Sequence, residues 1–267
     1  MFTLLTVAQP DTLEAAYKIL KEKRSNAVLG GCSYLRLGSQ NIHTGVDLSK
    51  LGLRYIKDQD SCIEIGAMTS FRDVETNRAL NNYAAGLLPK AVASIIGVQF
   101  RNVVTVGASV YMRYGFSDFL TALLALDAEV ELVQGGRMTL AAFLDTSRSK
   151  DILTKIIIRK TAGQAAYQAL RNSAADYPLV TVAVSHLGGQ WKIVVGARPT
   201  RAKLALKAAV LLREADTAIT AEVVTRAAQT AVNELPFGSN RRASAAYRQS
   251  VAQALIRRAI TEVAACK

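Results

Sequence analysis

The sequence predicts an α+β chain that divides near residue 160 into a mixed α/β part and a smaller part of sheet and helices. Three observations predict it. Half of the 267 residues are hydrophobic, with only five prolines, which is the composition of a folded chain long enough for two cores. Up to about residue 160, short apolar runs bounded by Gly, Asp and Asn alternate with helical periodicities. From Arg201 onward the pattern is helical and Ala-rich, broken once at residues 234–238, ELPFG.

Taken in order, Pro10-Asp11-Thr12-Leu13-Glu14 reads as a helix start, with Asp11 as the cap and Glu14 three residues later. Leu13, Ala16, Tyr17 and Leu20 form its apolar stripe, and the helix is expected to end near residues 23–25. Ala27-Val28-Leu29 reads as a short buried strand running into Gly30-Gly31, so two adjacent glycines stand at a strand's carboxyl end. Residues 55–57 and 62–67 read as paired strands joined by Asp58-Gln59-Asp60, and residues 87–96 as a helix. A polar turn and a small-residue segment then lead to a helix over about 117–126, with Asp118 in its first turn, and an alternating strand over 128–133. Further strands are expected at 153–158, 181–184 and 191–195, the last after the hairpin-like loop His186-Leu187-Gly188-Gly189-Gln190. No internal repeat or low-complexity tract appears.

Several classes are set aside by composition. Cys32, Cys62 and Cys266 are an odd number at wide spacing, with no pattern for zinc or an iron–sulfur cluster, so no metal is expected. The first residues lack a signal peptide's basic and apolar regions and no run is long enough for a membrane helix, so a cytoplasmic location and no membrane insertion are expected. Net charge is +12, and residues 201–267 carry eleven Lys and Arg against five Asp and Glu. The basic residues are scattered, without aromatic interleaving or a recognised motif, so no nucleic acid is expected; a basic nucleic-acid binder is the alternative suggested by charge alone.

Groups for acid–base or nucleophilic chemistry are sparse. His43 and His186 are placed in loops far apart, with no carboxylate or serine at a telling spacing, and no catalytic residue is assigned. Asp127, Glu129 and Glu131 are expected to share the solvated outer face of a strand. What remains is two small-residue loops, Gly30-Gly31-Cys32-Ser33 and Thr105-Val106-Gly107-Ala108-Ser109. Glycine permits close approach of a ligand, and successive backbone N–H groups with Ser and Thr hydroxyls can wrap a pyrophosphate; each segment also reads as a simple turn. Neither is a G-x-G-x-x-G or a G-x-x-x-x-G-K-[ST] motif.

At these residues the sequence resembles the FAD-binding subunit of molybdenum hydroxylases, as in xanthine and carbon monoxide dehydrogenases. That family's first flavin loop reads approximately AGGTDLL, against Leu29-Gly30-Gly31-Cys32-Ser33-Tyr34-Leu35. Its second reads approximately RNxGTIGGNIANASPxxDL and ends in ALDAEVEL. Here the counterparts are RNVVTVGASVY over residues 101–111, Ser117-Asp118-Phe119-Leu120, and Ala125-Leu126-Asp127-Ala128-Glu129-Val130-Glu131-Leu132. Further likenesses, ADYPLV at 175–180, YRQSVA at 247–252 and LIRRA at 255–259, extend the resemblance over almost the whole chain.

The resemblance implies two α/β FAD-binding (PCMH-type) subdomains, about 1–52 and 53–160, followed at 161–267 by a C-terminal domain of antiparallel sheet plus helices. It implies FAD lined by Val28, Leu29, Gly30, Gly31, Cys32, Ser33 and Tyr34 along the diphosphate and ribityl chain. Thr105, Gly107, Ala108 and Ser109 form the second loop, Asp118 hydrogen-bonds the cofactor, and Ile96, Tyr111 and Ile157 lie near the flavin. It also implies an electron-transfer role, from iron–sulfur clusters on one partner subunit, supplied by a molybdopterin-binding subunit, through FAD to an acceptor such as NAD. On this basis Gly31→Val is expected to abolish FAD binding and leave the chain folded. One departure stands out: Gly107-Ala108-Ser109 replaces the family's Gly-Gly-Asn, and an alanine methyl hinders a positive φ. It motivates the alternative of a flavin-free structural or assembly subunit of the same kind of complex.

Overall fold

The computed structural model describes residues 2–147, 149–215 and 218–265; Cys266 lies outside the described residues. In chain order the strands are β1 (Thr3–Ala8), β2 (Ala27–Leu29), β3 (Asn41–Asp47), β4 (Ile56–Asp58), β5 (Cys62–Gly66), β6 (Glu129–Leu132), β7 (Gly136–Thr139), β8 (Leu153–Arg159), β9 (Gly163–Arg171), β10 (Pro178–Leu187), β11 (Gln190–Gly196) and β12 (Lys203–Leu204). The α-helices are α1 (Leu13–Glu22), α2 (Phe71–Thr76), α3 (Arg78–Asn82), α4 (Leu87–Ala93), α5 (Val98–Val103), α6 (Val106–Met112), α7 (Asp118–Ala125), α8 (Leu140–Asp145), α9 (Leu206–Glu214), α10 (Ala221–Glu234) and α11 (Ala245–Ala265). They gather into two compact units. The first holds residues up to 74, 98–112 and 128–159; the second holds 75–97, 113–127 and the chain from 160 onward.

In the first unit, β1, β3 and β2 form a parallel sheet in that order, with Val28 opposite Val46 and Leu29 opposite Asp47. Helix α1 buries Ala16 and Leu20 against Val46 and Leu48, where Val28, Leu53 and Ile152 join the core. The cap of α1 is Thr12 rather than the expected Asp11: its side chain accepts the N–H of Ala15 at 3.1 Å, satisfying one donor that the helix leaves open. The second sheet of this unit, β4-β5-β8-β6-β7, is antiparallel throughout. Glu129 and Glu131 lie on β6 as expected, paired with Arg137 and Arg159 and with Lys155. Asp127 does not share that face: it precedes the strand at φ 54° and pairs with Lys192, 2.8 Å away in the second unit that holds both residues.

The second unit is built on the antiparallel sheet β12-β11-β10-β9. Val180, Val182 and Val184 of β10 point into a core with α9, α10 and α11. The alternate residues turn to α7, where Thr181 Oγ1 meets Thr121 Oγ1 at 2.9 Å and the Ser185 hydroxyl donates to the Ala125 carbonyl at 2.6 Å. Helix α7 is buried along its whole length, which its apolar circumference requires. The helix expected over 87–96 stops at Ala93, where the cap residue Ser94 turns to φ −90° and ψ 5°, and Ile96 follows at a left-handed φ of 52°. Both histidines expected in loops lie in strands. His43 of β3 has Nε2 2.7 Å from the Lys23 ammonium, and His186 of β10 stacks on Trp191 at 4.6 Å. The architecture is α+β, and among the described residues no helix is long and apolar enough to cross a membrane.

Candidate cofactor site

The site is built where β2 ends. The carboxyl end of a parallel strand is where α/β sheets present ligands, and Gly30 follows β2 directly. The chain reverses in a three-residue turn in which the Cys32 N–H donates to the Gly30 carbonyl at 2.7 Å, with Gly31 at φ 63° and Cys32 at φ 55°. A β-carbon on Gly31 would fall 1.8 Å from the Val103 carbonyl oxygen. This glycine is therefore demanded by the protein's own backbone, and Gly31→Val disturbs the fold as well as any ligand, contrary to the expectation from sequence. Gly30 also lies against the other segment, its added β-carbon 3.0 Å from Thr105 Oγ1 and 3.3 Å from the Ala108 methyl.

Beyond the turn, the Arg36 N–H donates to the Cys32 carbonyl at 3.1 Å, and the Tyr34 ring meets Phe100 edge-on at 6.1 Å. Burial, then the nearby Asp47, pushes the Cys32 thiol above its ordinary value against the opposing pull of Arg36, so the thiol is protonated at neutral pH. Ser33 Oγ is buried and makes no hydrogen bond among the described residues. A buried hydroxyl without a partner is costly unless something else completes it.

The second segment is not the loop that sequence suggested. Val106 to Met112 is helix α6, and its first N–H groups are already used: Val106 donates to the Thr69 carbonyl at 2.9 Å and Gly107 to the Ala67 carbonyl at 2.8 Å. The Ser109 N–H reaches the Thr105 carbonyl at 3.1 Å. These amides do not wrap a pyrophosphate; the segment contributes side chains and shape. Gly107 is required by packing, since an added β-carbon would sit 2.7 Å from the Ala67 β-carbon. Ala108 has ordinary helical backbone, so its methyl carries no positive-φ penalty.

Tyr111, at the end of α6, uses its hydroxyl internally, donating to the Ser149 carbonyl and accepting the Asp151 N–H at 2.9 Å. Ile157 is 2% exposed in β8, across from Glu64 and Glu129. Residues 28–34, Thr105, Gly107, Ala108, Ser109, Tyr111 and Ile157 all belong to the first unit, where Gly30 and Gly31 meet Val103, Thr105 and Ala108. Ile96 and Asp118 belong to the second unit. There Asp118 is 4% exposed and its Oδ1 accepts from both Arg171 and the Tyr167 hydroxyl. Burial pushes its carboxyl above the usual range, opposed by Arg171 and Tyr167, and burial with Asp118 drives the Tyr167 hydroxyl well above its own. Sequence reasoning missed Val103, whose carbonyl lies against Gly31; the contact joins segments over seventy residues apart, so no local signal marks it.

A glycine turn at a parallel strand's end, beside a buried hydroxyl awaiting a partner, fits the phosphate-bearing chain of a dinucleotide cofactor. The comparisons agree. The family described as FAD binding domain in molybdopterin dehydrogenase matches residues 2–161, and CO dehydrogenase flavoprotein C-terminal domain matches residues 165–263. The nicotinate dehydrogenase FAD-subunit of Eubacterium barkeri is 29% identical over 165 residues, 56% of this chain and 53% of that protein, so the match spans about half of the relative. The glyceraldehyde dehydrogenase medium chain of Sulfolobus acidocaldarius is 25% identical over 95% of this chain and 96% of its own. Among solved structures, carbon monoxide dehydrogenase from Hydrogenophaga pseudoflava superposes with a TM-score of 0.88 at 22% identity, covering 99% of both chains. Quinoline 2-oxidoreductase from Pseudomonas putida 86 gives 0.86 at 22%, covering 99% of this chain and 97% of that one. The chain belongs to the family of FAD-binding domains of molybdopterin dehydrogenases, whose cofactor is FAD, and continues into a CO dehydrogenase flavoprotein C-terminal domain.

Proposed function

We propose that the chain is the FAD-carrying electron-transfer subunit of a multi-subunit molybdenum hydroxylase, working in the cytoplasm beside an iron–sulfur subunit and a molybdopterin-binding subunit. The observation that carries this reading is the Gly30–Ser33 turn at the end of β2, closed on Thr105 and Ala108 and holding a buried hydroxyl that has no partner among the described residues. On this reading residues 1–160 form the FAD-binding domain, in subdomains of about 1–52 and 53–160, and residues 161–267 the C-terminal domain.

Residues 28–34 hold the diphosphate and ribityl chain, with Ser33 Oγ supplying a hydroxyl to an anionic oxygen. Thr105 and residues 107–109 form the facing wall, with Tyr111 and Ile157 of the same unit completing the set. FAD bound there would supply the redox chemistry between the iron–sulfur partner and an acceptor such as NAD. The chain's residues bind and orient it, and the protonated Cys32 keeps a thiolate away from it. Helical Ala108 removes the steric reason for supposing flavin lost. A visible absorption spectrum and an FAD titration of the purified chain test the reading. One FAD per chain is expected; a flavin-free preparation that takes up no added FAD favours the assembly-subunit alternative and refutes ours.

A further inference from the structure

We infer that the strap Ser149-Lys150-Asp151 positions both halves of the flavin site, with Lys150 as the positioning residue for the Gly30-Gly31 turn; the inference rests on the flavin reading above. An ammonium has three N–H donors, and Lys150 directs its group at three main-chain carbonyls: Leu20 at 3.2 Å, Lys23 at 2.7 Å and Asn26 at 2.7 Å. These lie 124 to 130 residues away in sequence. The Leu20 and Lys23 carbonyls belong to the end of α1, where a helix leaves acceptors open and favours a cation. Asn26 immediately precedes β2 and is 3% exposed. Its side chain donates to the Ile19 carbonyl at 2.6 Å and accepts the Thr44 N–H from β3 at 3.1 Å. The three-residue strand β2 therefore leaves a residue clamped from three directions and delivers Gly30 within a few ångströms of Thr105.

The same strap holds the other half. Tyr111, on the last turn of the helix that carries Gly107, Ala108 and Ser109, bonds through its hydroxyl to the Ser149 carbonyl and the Asp151 N–H. The strap itself is fixed by Asp151, whose carboxylate accepts the N–H groups of Gln134 at 3.2 Å, Gly135 at 2.8 Å and Ile152 at 2.7 Å. The lysine's target is main chain, not a carboxylate, so its effect is on where backbone runs. A catalytic or binding constellation loses function when its support lets it drift by a fraction of an ångström.

The test uses the full chain, with FAD affinity read from quenching of flavin fluorescence and folding of the FAD-free protein read from circular dichroism. Lys150→Met, similar in length and without donors, is expected to raise the FAD dissociation constant at least tenfold in the folded fraction and to speed amide exchange of residues 30–34. Lys150→Arg, which keeps donors, is expected to recover most of the affinity, and Tyr111→Phe to weaken FAD several-fold. Folded K150M that binds FAD within twofold of wild type, or shows unchanged exchange in the turn, overturns the inference. Should K150M give no folded protein, Tyr111→Phe carries the test, and FAD affinity within twofold of wild type in that variant is the overturning result. A wild-type chain that takes up no FAD refutes the flavin reading instead.

Discussion

At the scale of single residues, Gly31 and Ser33 stand two positions apart and answer substitution in opposite ways. Gly31 combines a left-handed φ with a β-carbon position 1.8 Å from a carbonyl oxygen. A left-handed L-residue costs about 1–2 kcal/mol and overpacking about 1–3 kcal/mol more. Gly31→Val is thus expected to lower the stability of the FAD-free chain by roughly 2–5 kcal/mol, read from a denaturant melt; a wild-type midpoint would show that the turn yields easily. Ser33→Ala removes a buried hydroxyl that has no partner among the described residues. The FAD-free chain should gain about 1 kcal/mol, while FAD affinity falls about tenfold with the loss of a charge-assisted bond. Equal FAD affinity in that variant means that Ser33 does not touch the cofactor. The sequence showed the two glycines, but not that the first answers to Thr105 and the second to Val103, since those contacts join segments over seventy residues apart.

At the scale of elements, what was readable was whatever carried its own signal. Helix α7 announces itself through a Ser117 cap, whose hydroxyl accepts the Leu120 N–H at 3.2 Å, and through an apolar run. Helix α6 does not, because Val-Gly-Ala-Ser has weak helical propensity, and its first amides are held by the Thr69 and Ala67 carbonyls. Strand β10 runs ten residues where sequence suggested four, because its second face buries Thr181 and Ser185 through hydrogen bonds to α7. On β6, ion pairs tie three strands together: Glu129 accepts from Arg137 at 2.5 Å and from Arg159 at 3.2 Å. Burial pushes the Glu129 carboxyl up, but the two arginines outweigh it and hold it below its ordinary value of 4.5. A depressed carboxyl contributes stability above its unfolded value and loses it as pH falls through the folded one. Stability should therefore decline as pH drops below 4.5, and Glu129→Gln should make that decline shallower without steepening it anywhere. Urea midpoints across the acid range check this; parallel curves for the two proteins would deny Glu129 the role.

At the scale of the molecule, the chain passes between its units more than once, and no local pattern foretells this. Residues 75–97 and 113–127 are short helices and turns like those around them, yet they belong to the second unit. Membership of a core is settled by distant partners, as when Asp118 on α7 meets Arg171 on β9, and periodicity reports only which face is apolar. The turn at Gly30–Ser33, helix α6 and the strap at 149–151 all belong to the first unit, so a ligand held by them couples to that unit's unfolding. A ligand that binds only folded protein stabilises it by about 2.7 kcal/mol at a hundredfold excess over its dissociation constant. For a cooperative unit of this size each kcal/mol moves the midpoint by about 2–8 °C. Calorimetry of the FAD-free chain with added FAD is therefore expected to raise the transition that includes the first unit by roughly 5–20 °C. Lys150→Met should show a smaller rise at the same FAD concentration, because its weaker affinity lowers the ratio that sets the shift. No rise in the wild type at saturating flavin would count against the turn, the helix and the strap as a cofactor site together.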